Sequence, residues 1–200
     1  MDSQKAMAAR RDTARDAGTR HTQTVLRHPE PPLSDGVITL RAKTRRDVDT
    51  LAILCSDPAI PRWTRVPTPY TREDALSWIA SCELELAAGR AIRWLAVDEH
   101  DEVLGSVAVQ SIDGGTAEIG YWVAAHARGR GVATRAVRLA SDWAVRELGL
   151  EVLEIRAHED NPASHGVARA AGFTESGETH VPPGDGIAEG RYVVHTLRAG

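Results

Sequence analysis

Arg128-Gly129-Arg130-Gly131 stands between an alternating run, Ala117 to Val123, and a helical pattern that begins at once. The alternation has period two and predicts a strand. A strand that stops at a glycine-bearing turn, with a helix starting inside the turn, makes an anion cradle. Several backbone N–H groups point one way there, and the positive end of the helix dipole adds to them. Glycine at 129 and 131 keeps a Cβ out of the path of an approaching phosphate. The strand before the cradle carries a carboxylate, Glu118. The spacing therefore places a phosphorylated ligand at a helix start, beside a strand that bears an acidic side chain.

The kind of phosphate loop follows from its neighbours. A Walker-type loop needs Gly-Lys-Ser/Thr at the helix start, and here the residues are Gly131-Val132-Ala133. A dinucleotide fingerprint needs a third glycine or alanine at 134, which is Thr134. Arg-x-x-Gly-x-Ala, Arg128 through Ala133, resembles instead the pyrophosphate loop of the GNAT superfamily of acyl-CoA-dependent N-acetyltransferases. Glu118-Ile119-Gly120-Tyr121 before the loop, and Asn161-Pro162-Ala163-Ser164 with Ala171-Gly172-Phe173 after it, are similar to the RimJ/RimL-like branch. The resemblance runs from about Val37 to Arg198.

The resemblance implies an acetyl-CoA co-substrate and transfer of its acetyl group to a primary amine, by direct attack in a ternary complex. The N–H groups of Arg128, Gly129, Arg130, Gly131, Val132, Ala133 and Thr134 would hold the pyrophosphate. The pantetheine arm would lie between the Glu118 strand and the Val152 strand, with the N–H near Val123 facing the thioester oxygen and Asn161 touching the arm. Glu118 is then the candidate base, Ser164 the candidate acid for the departing thiolate, and Trp63, Tyr70 and Trp122 the candidate acceptor wall. Acyl transfer needs a proton removed from the attacking ammonium and a donor at the developing oxyanion, which suits these residue types. His126 lies near the loop and reads as a surface histidine. An alternative of another class is a catalytically silent acyl-CoA sensor, against which the retained Glu118 argues. A nucleic-acid role for the single Arg-Gly repeat is remoter still.

These residues need a scaffold. Val37–Arg41 predicts a first strand, and Thr44-Arg45-Arg46-Asp47 and Thr71-Arg72-Glu73-Asp74 are capping boxes that open two helices. Strands follow at Ile92–Val97 and Val103–Gln110, then the Glu118 strand after the turn at Asp113-Gly114-Gly115. The main helix is expected from Gly131 to Leu148, with Val132, Ala136, Leu139, Ala140, Trp143 and Leu148 as its apolar stripe. Val152–His158, a short helix capped by Asn161 with Pro162 at its first position, and strands from Phe173 and at Tyr192–Leu197 complete the order. This matches a GNAT fold: mixed α/β (α+β), about seven strands flanked by four helices.

One domain, 33–200, is expected behind a mobile tail, 1–32, that ends in His28-Pro29-Glu30-Pro31-Pro32. At 200 residues and 42% apolar content the chain has material for one core. Residues 31–200 hold 18 basic and 24 acidic side chains, which disfavours nucleic acid as a partner. Cys55 and Cys82 read as small buried hydrophobes, and eight scattered histidines predict no structural metal. With no apolar run of ~20 residues and no secretory leader, a cytoplasmic protein off the membrane is expected, as monomer or homodimer, its partner an amine: a small molecule or a protein N-terminus.

Overall fold

The computed structural model describes residues 26–182 and 186–200. Thr44 and Asp47 close the first capping box, Thr44 N–H donating to Asp47 Oδ2 at 2.7 Å, ahead of α1 (Val48–Leu54). The second box opens α2 (Arg72–Ala87), with Asp74 N–H on Thr71 Oγ1 and Thr71 N–H on Asp74 Oδ2. Reciprocal capping satisfies two helix-start donors at once and fixes where each helix begins. α3 (Val132–Leu148) starts after Gly131 and stops at Gly149, both left-handed, and α4 (Pro162–Ala170) is capped by Asn161.

Eight strands form one sheet: β1 (Leu33–Ser34), β2 (Thr39–Arg41), β3 (Ile92–Val97), β4 (Val103–Asp113), β5 (Thr116–Val123), β6 (Val152–His158), β7 (Thr174–Val181) and β8 (Gly190–Arg198). Their order is β1-β2-β3-β4-β5-β6-β8-β7. Every neighbouring pair is antiparallel except β5 with β6, which the α3 crossover makes parallel. The strand beyond the expected seven is β1, two residues that pair with β2 through Leu33↔Leu40 and Ser34↔Thr39. Two residues carry no alternation to read, so only the pairing reveals it.

The sheet separates two apolar layers. On one face Trp94, Val107, Ala117 and Ile119 pack with Val132, Val137, Ala140 and Trp143 of α3, and Trp94 meets Trp143 edge-on at 5.3 Å. On the other, Leu95, Val97 and Val103 pack with Val48 and Leu51 of α1 and Ala75 and Ile79 of α2. Cys55 and Cys82 are buried free thiols.

Packing reaches ahead of the expected boundary at residue 32. Leu26 is 5% exposed inside the α3-face core, and the His28 ring stands edge-on to Trp94 at 5.9 Å. One leucine and one histidine give no periodicity, so the sequence carried no sign that they pack. Residues 1–25 of the expected tail, and 183–185 of the 182–190 loop, lie outside the described residues. Among the described residues no helix is long and apolar enough to cross a membrane.

Candidate active site

β5 and β6 pair only at Thr116↔Val152, Ala117↔Leu153 and Glu118↔Glu154. Beyond Glu118, β5 bonds only to β4 and β6 only to β8, so the sheet parts there. Ala124 N–H donates to Leu104 O at 2.9 Å. In an antiparallel ladder the next residue turns its groups the other way. The N–H of Val123 therefore faces the gap, where the sequence reading placed an oxyanion donor, and Val123 O is free to accept from Arg128 Nε at 3.2 Å.

The loop after β5 runs through a 3₁₀ turn at Ala125–Ala127 into Gly129 and Gly131, at φ +72° and +76°. A Cβ at either would meet no atom within 4 Å, so it is the left-handed backbone that calls for glycine, and the space beside it is open. The first i→i−4 bond of α3 is Arg135 N–H to Gly131 O at 3.1 Å, which leaves the preceding N–H groups without a helical acceptor. Open donors, free space and a helix start fit a pyrophosphate. The Arg128 guanidinium turns aside to Asp57 Oδ2 at 2.5 Å and its N–H donates to Ala125 O at 3.4 Å, so Arg128 ties the loop to the segment after α1 and the open donors begin after it.

Glu118 is half-buried on the α1–α2 face. Its Oε1 accepts from Gln110 Nε2 at 3.3 Å, and its Oε2 lies 3.9 Å from Arg156 Nη1. Tyr121 sits one alternation away, on the α3–α4 face, and its phenolic oxygen is 2.6 Å from Ser164 Oγ on the first turn of α4. Burial raises the Tyr121 pKa to about 12, against a smaller lowering by Ser164, so it is a phenol at neutral pH. Either oxygen can donate in that bond, and the phenol also donates to Ser164 O at 3.3 Å. Asn161 Oδ1 caps α4 by accepting from Ser164 N–H at 3.2 Å. Behind Ser164, His165 Nε2 stands 3.1 Å from His158 O. A carbonyl only accepts, so that nitrogen carries the proton, and His165 Nδ1 accepts from His195 Nε2 at 2.9 Å. Burial, then the neighbouring His165, lowers the His195 pKa, and the two contacts of His165 anchor α4 to β6 and β8.

Glu118 and Ser164 approach one cleft of about 1120 Å³, which runs from the Gly129–Thr134 loop through the parted sheet to Trp63, Tyr70 and Trp122. All three expected acceptor-wall aromatics line it, joined by Trp78. Trp63 tilts onto His158 at 5.1 Å and carries the Arg62 guanidinium over its ring at 4.5 Å. Tyr70 packs on the α1–α2 cluster, and its pKa is raised, chiefly by burial. His126 stays at the surface, 3.3 Å from Glu102. Sequence reasoning assigned no part to Tyr121, Gln110 or Arg156. Alternation put Tyr121 on the opposite face from Glu118, but only the fold shows that α4 arrives there.

A parted sheet, a glycine-bearing helix start at its mouth, and a carboxylate and hydroxyl on either side are the parts of an acyltransferase. The chain belongs to the GNAT acetyltransferases: residues 38–174 match the Acetyltransferase (GNAT) domain. The uncharacterized N-acetyltransferase p20 of Bacillus licheniformis is 31% identical over 147 residues, 70% of this chain and 80% of p20. Among solved structures, Mycobacterium smegmatis RimJ in complex with CoA-disulfide superposes with a TM-score of 0.75 at 22% identity, over 84% of this chain and 86% of that one. RimL, a ribosomal L7/L12 α-N-protein acetyltransferase in complex with coenzyme A, gives 0.74 at 22% identity, over 84% and 96%. These likenesses establish the fold that the RimJ/RimL resemblance implied.

Proposed function

We propose that this acetyltransferase moves the acetyl group of acetyl-CoA to a primary α-amine, that of a protein or peptide N-terminus, by direct attack. The observation that carries the reading is the single cleft through the parted sheet, with the phosphate cradle at one end, an aromatic wall at the other, and Glu118 and Ser164 between. The thioester supplies an activated acetyl carbon. The N–H groups of residues 129–134 hold the pyrophosphate, and Asn161 borders the arm. Glu118 takes the ammonium proton, directly or through one water. Val123 N–H donates to the carbonyl oxygen as it gains charge. Ser164, oriented by Tyr121, gives a proton to the sulfur. The peptide assignment is supported by RimL, whose acceptor is a protein α-amine. The volume of the cleft and its aromatic wall suit an extended chain end. Cys82 does not line the cleft, and Cys55, which does, is a thiol whose pKa burial raises to about 12, which favours direct attack over an acyl-enzyme.

Free-thiol release from acetyl-CoA, measured over N-terminal peptides, polyamines, amino acids and aminoglycosides, tests this. Peptides with a free α-amine should turn over, and the same peptides with a blocked N-terminus should not. Turnover confined to polyamines or aminoglycosides would replace the peptide reading with a small-molecule one.

A further inference from the structure

Glu118 does not stand alone on its face of the sheet. Arg93 on β3, Gln110 on β4, Glu118 on β5 and Arg156 on β6 make a polar row across four adjacent strands. Glu85 of α2 closes one end through an ion pair with Arg93, and Glu154 the other through Arg156 Nη2 at 3.2 Å. Arg93 Nη2 donates to Gln110 Oε1 at 3.2 Å. A guanidinium only donates, so the oxygen of the Gln110 amide must face Arg93. Its nitrogen is thereby turned to Glu118, 3.3 Å from Oε1. Gln110 and Glu118 are also direct partners in the β4–β5 register. A Cβ on Gly120 would lie 3.2 Å from Gln110 Nε2, so the glycine clears the path along which the amide crosses β5.

We infer that Gln110 is a positioning residue for the reaction: held by Arg93, it fixes the Glu118 carboxylate on the β4 side of the parting between β5 and β6. This rests on the reading of Glu118 as the base. Without the amide, Arg156, 3.9 Å from Oε2, draws the carboxylate towards β6 and across the parting. A base displaced by ~1 Å costs up to ~10²-fold in rate.

The test uses the full chain, acetyl-CoA and the free-amine panel above, with Gln110→Leu, Gln110→Glu and Glu118→Gln side by side. Gln110→Leu should lower kcat about 10- to 100-fold and leave KM for acetyl-CoA and the melting temperature unchanged. Gln110→Glu should lower kcat at least as far, since a like charge then faces Oε1. Wild-type kcat in Gln110→Leu while Glu118→Gln is inactive overturns the proposal. A kcat loss matched by a fall in melting temperature, or by a rise in KM for acetyl-CoA, shows a structural role only and also overturns it. Wild-type turnover in Glu118→Gln overturns the base reading itself, and the proposal with it.

Discussion

The two faces of the sheet are built differently. On the α3–α4 face Trp94, Val137, Ala140 and Ala144 are wholly buried, and what this layer offers the cleft is largely backbone: the donors of the Gly129–Thr134 loop, with the capped start of α4. On the α1–α2 face the apolar cluster is smaller, and beside it the sheet carries Arg93, Gln110, Glu118 and Arg156, with Lys43 buried against Trp78. One face is a packed wall, to which the proposed function assigns the co-substrate. The other gives up apolar contact for side-chain chemistry. Apart from Ser164 and Tyr121, whose side chains reach the cleft from the first face, substitutions on the first should therefore show in co-substrate affinity and melting, and substitutions on the second in turnover.

The largest effect is expected on the chemical face. Glu118→Gln should lower kcat by ~10²–10⁴-fold near neutral pH, the range for a lost general base, with CoA binding intact. Wild-type rates across a series from about pH 6 to 9 would break the comparison at its centre.

Next is the cradle. Gly131→Asp adds a Cβ to open space, so it introduces no clash and acts through its charge and the left-handed backbone. Charge-assisted hydrogen bonds of ~1.5–3 kcal/mol set the scale, and CoA affinity should fall by about 2 kcal/mol, roughly 30-fold. Equal affinity by titration calorimetry would remove the pyrophosphate from this loop.

Ser164→Ala should follow, at about 10- to 100-fold in kcat, the low end for a general acid because a thiolate departs readily. Tyr121→Phe leaves the serine hydroxyl in place and should cost less, about 10-fold at most. A larger loss in Tyr121→Phe than in Ser164→Ala would make the phenol, and not the serine, the proton donor.

The same contrast explains what was readable in the sequence. The cradle side depends on local chemistry: a strand, two glycines at positive φ, a helix dipole, an Asn-Pro cap. All of these lie within short windows, and so do both capping boxes. The chemical face depends on register. Gln110 meets Glu118 because β4 and β5 pair in one particular alignment, and Arg128 meets Asp57 across 71 residues of chain. Neither contact has a local signature, whereas a one-residue slip in pairing would move Glu118 to the other face. Tyr121 is intermediate, its side legible from alternation and its partner hidden until α4 is placed.

Smaller effects should come from the packed face and leave turnover alone. A chain beginning at Leu33 loses Leu26 and the His28–Trp94 contact. Burial of one leucine is worth ~1.5–3 kcal/mol, and ~2–4 °C accompanies each kcal/mol in a domain of this size, so melting should fall by roughly 5–10 °C. A chain beginning at Leu26 should melt with the full-length protein, since residues 1–25 carry no periodic apolar pattern. Equal melting of all three would show that Leu26 contributes nothing to the core. Lost acetyl transfer without lost melting temperature would place the segment in the acceptor site.

The smallest effect is a pH dependence from the same corner. Burial, and then the nearby Lys43 charge, lower the His28 pKa from 6.5 to about 4. Between those values the unfolded chain takes up a proton that the folded one refuses, so stability rises with pH there. The contribution of His28 is whole above about pH 6.5, declines as the pH falls towards 4, and is constant below. Because the ring is only partly buried, solvent screening leaves a fraction of the shift as stability. Other carboxylates titrate in acid too, so the measurement is a difference: melting of the wild type minus melting of His28→Leu, taken at half-unit steps from about pH 7.5 to 3.5. That difference should fall by a few degrees between pH 6.5 and 4 and then flatten, while kcat per folded molecule stays equal in the two proteins. A flat difference curve would mean that the His28 ring is solvated in the native state, and a kcat that followed it would join this corner of the packed wall to the chemical face.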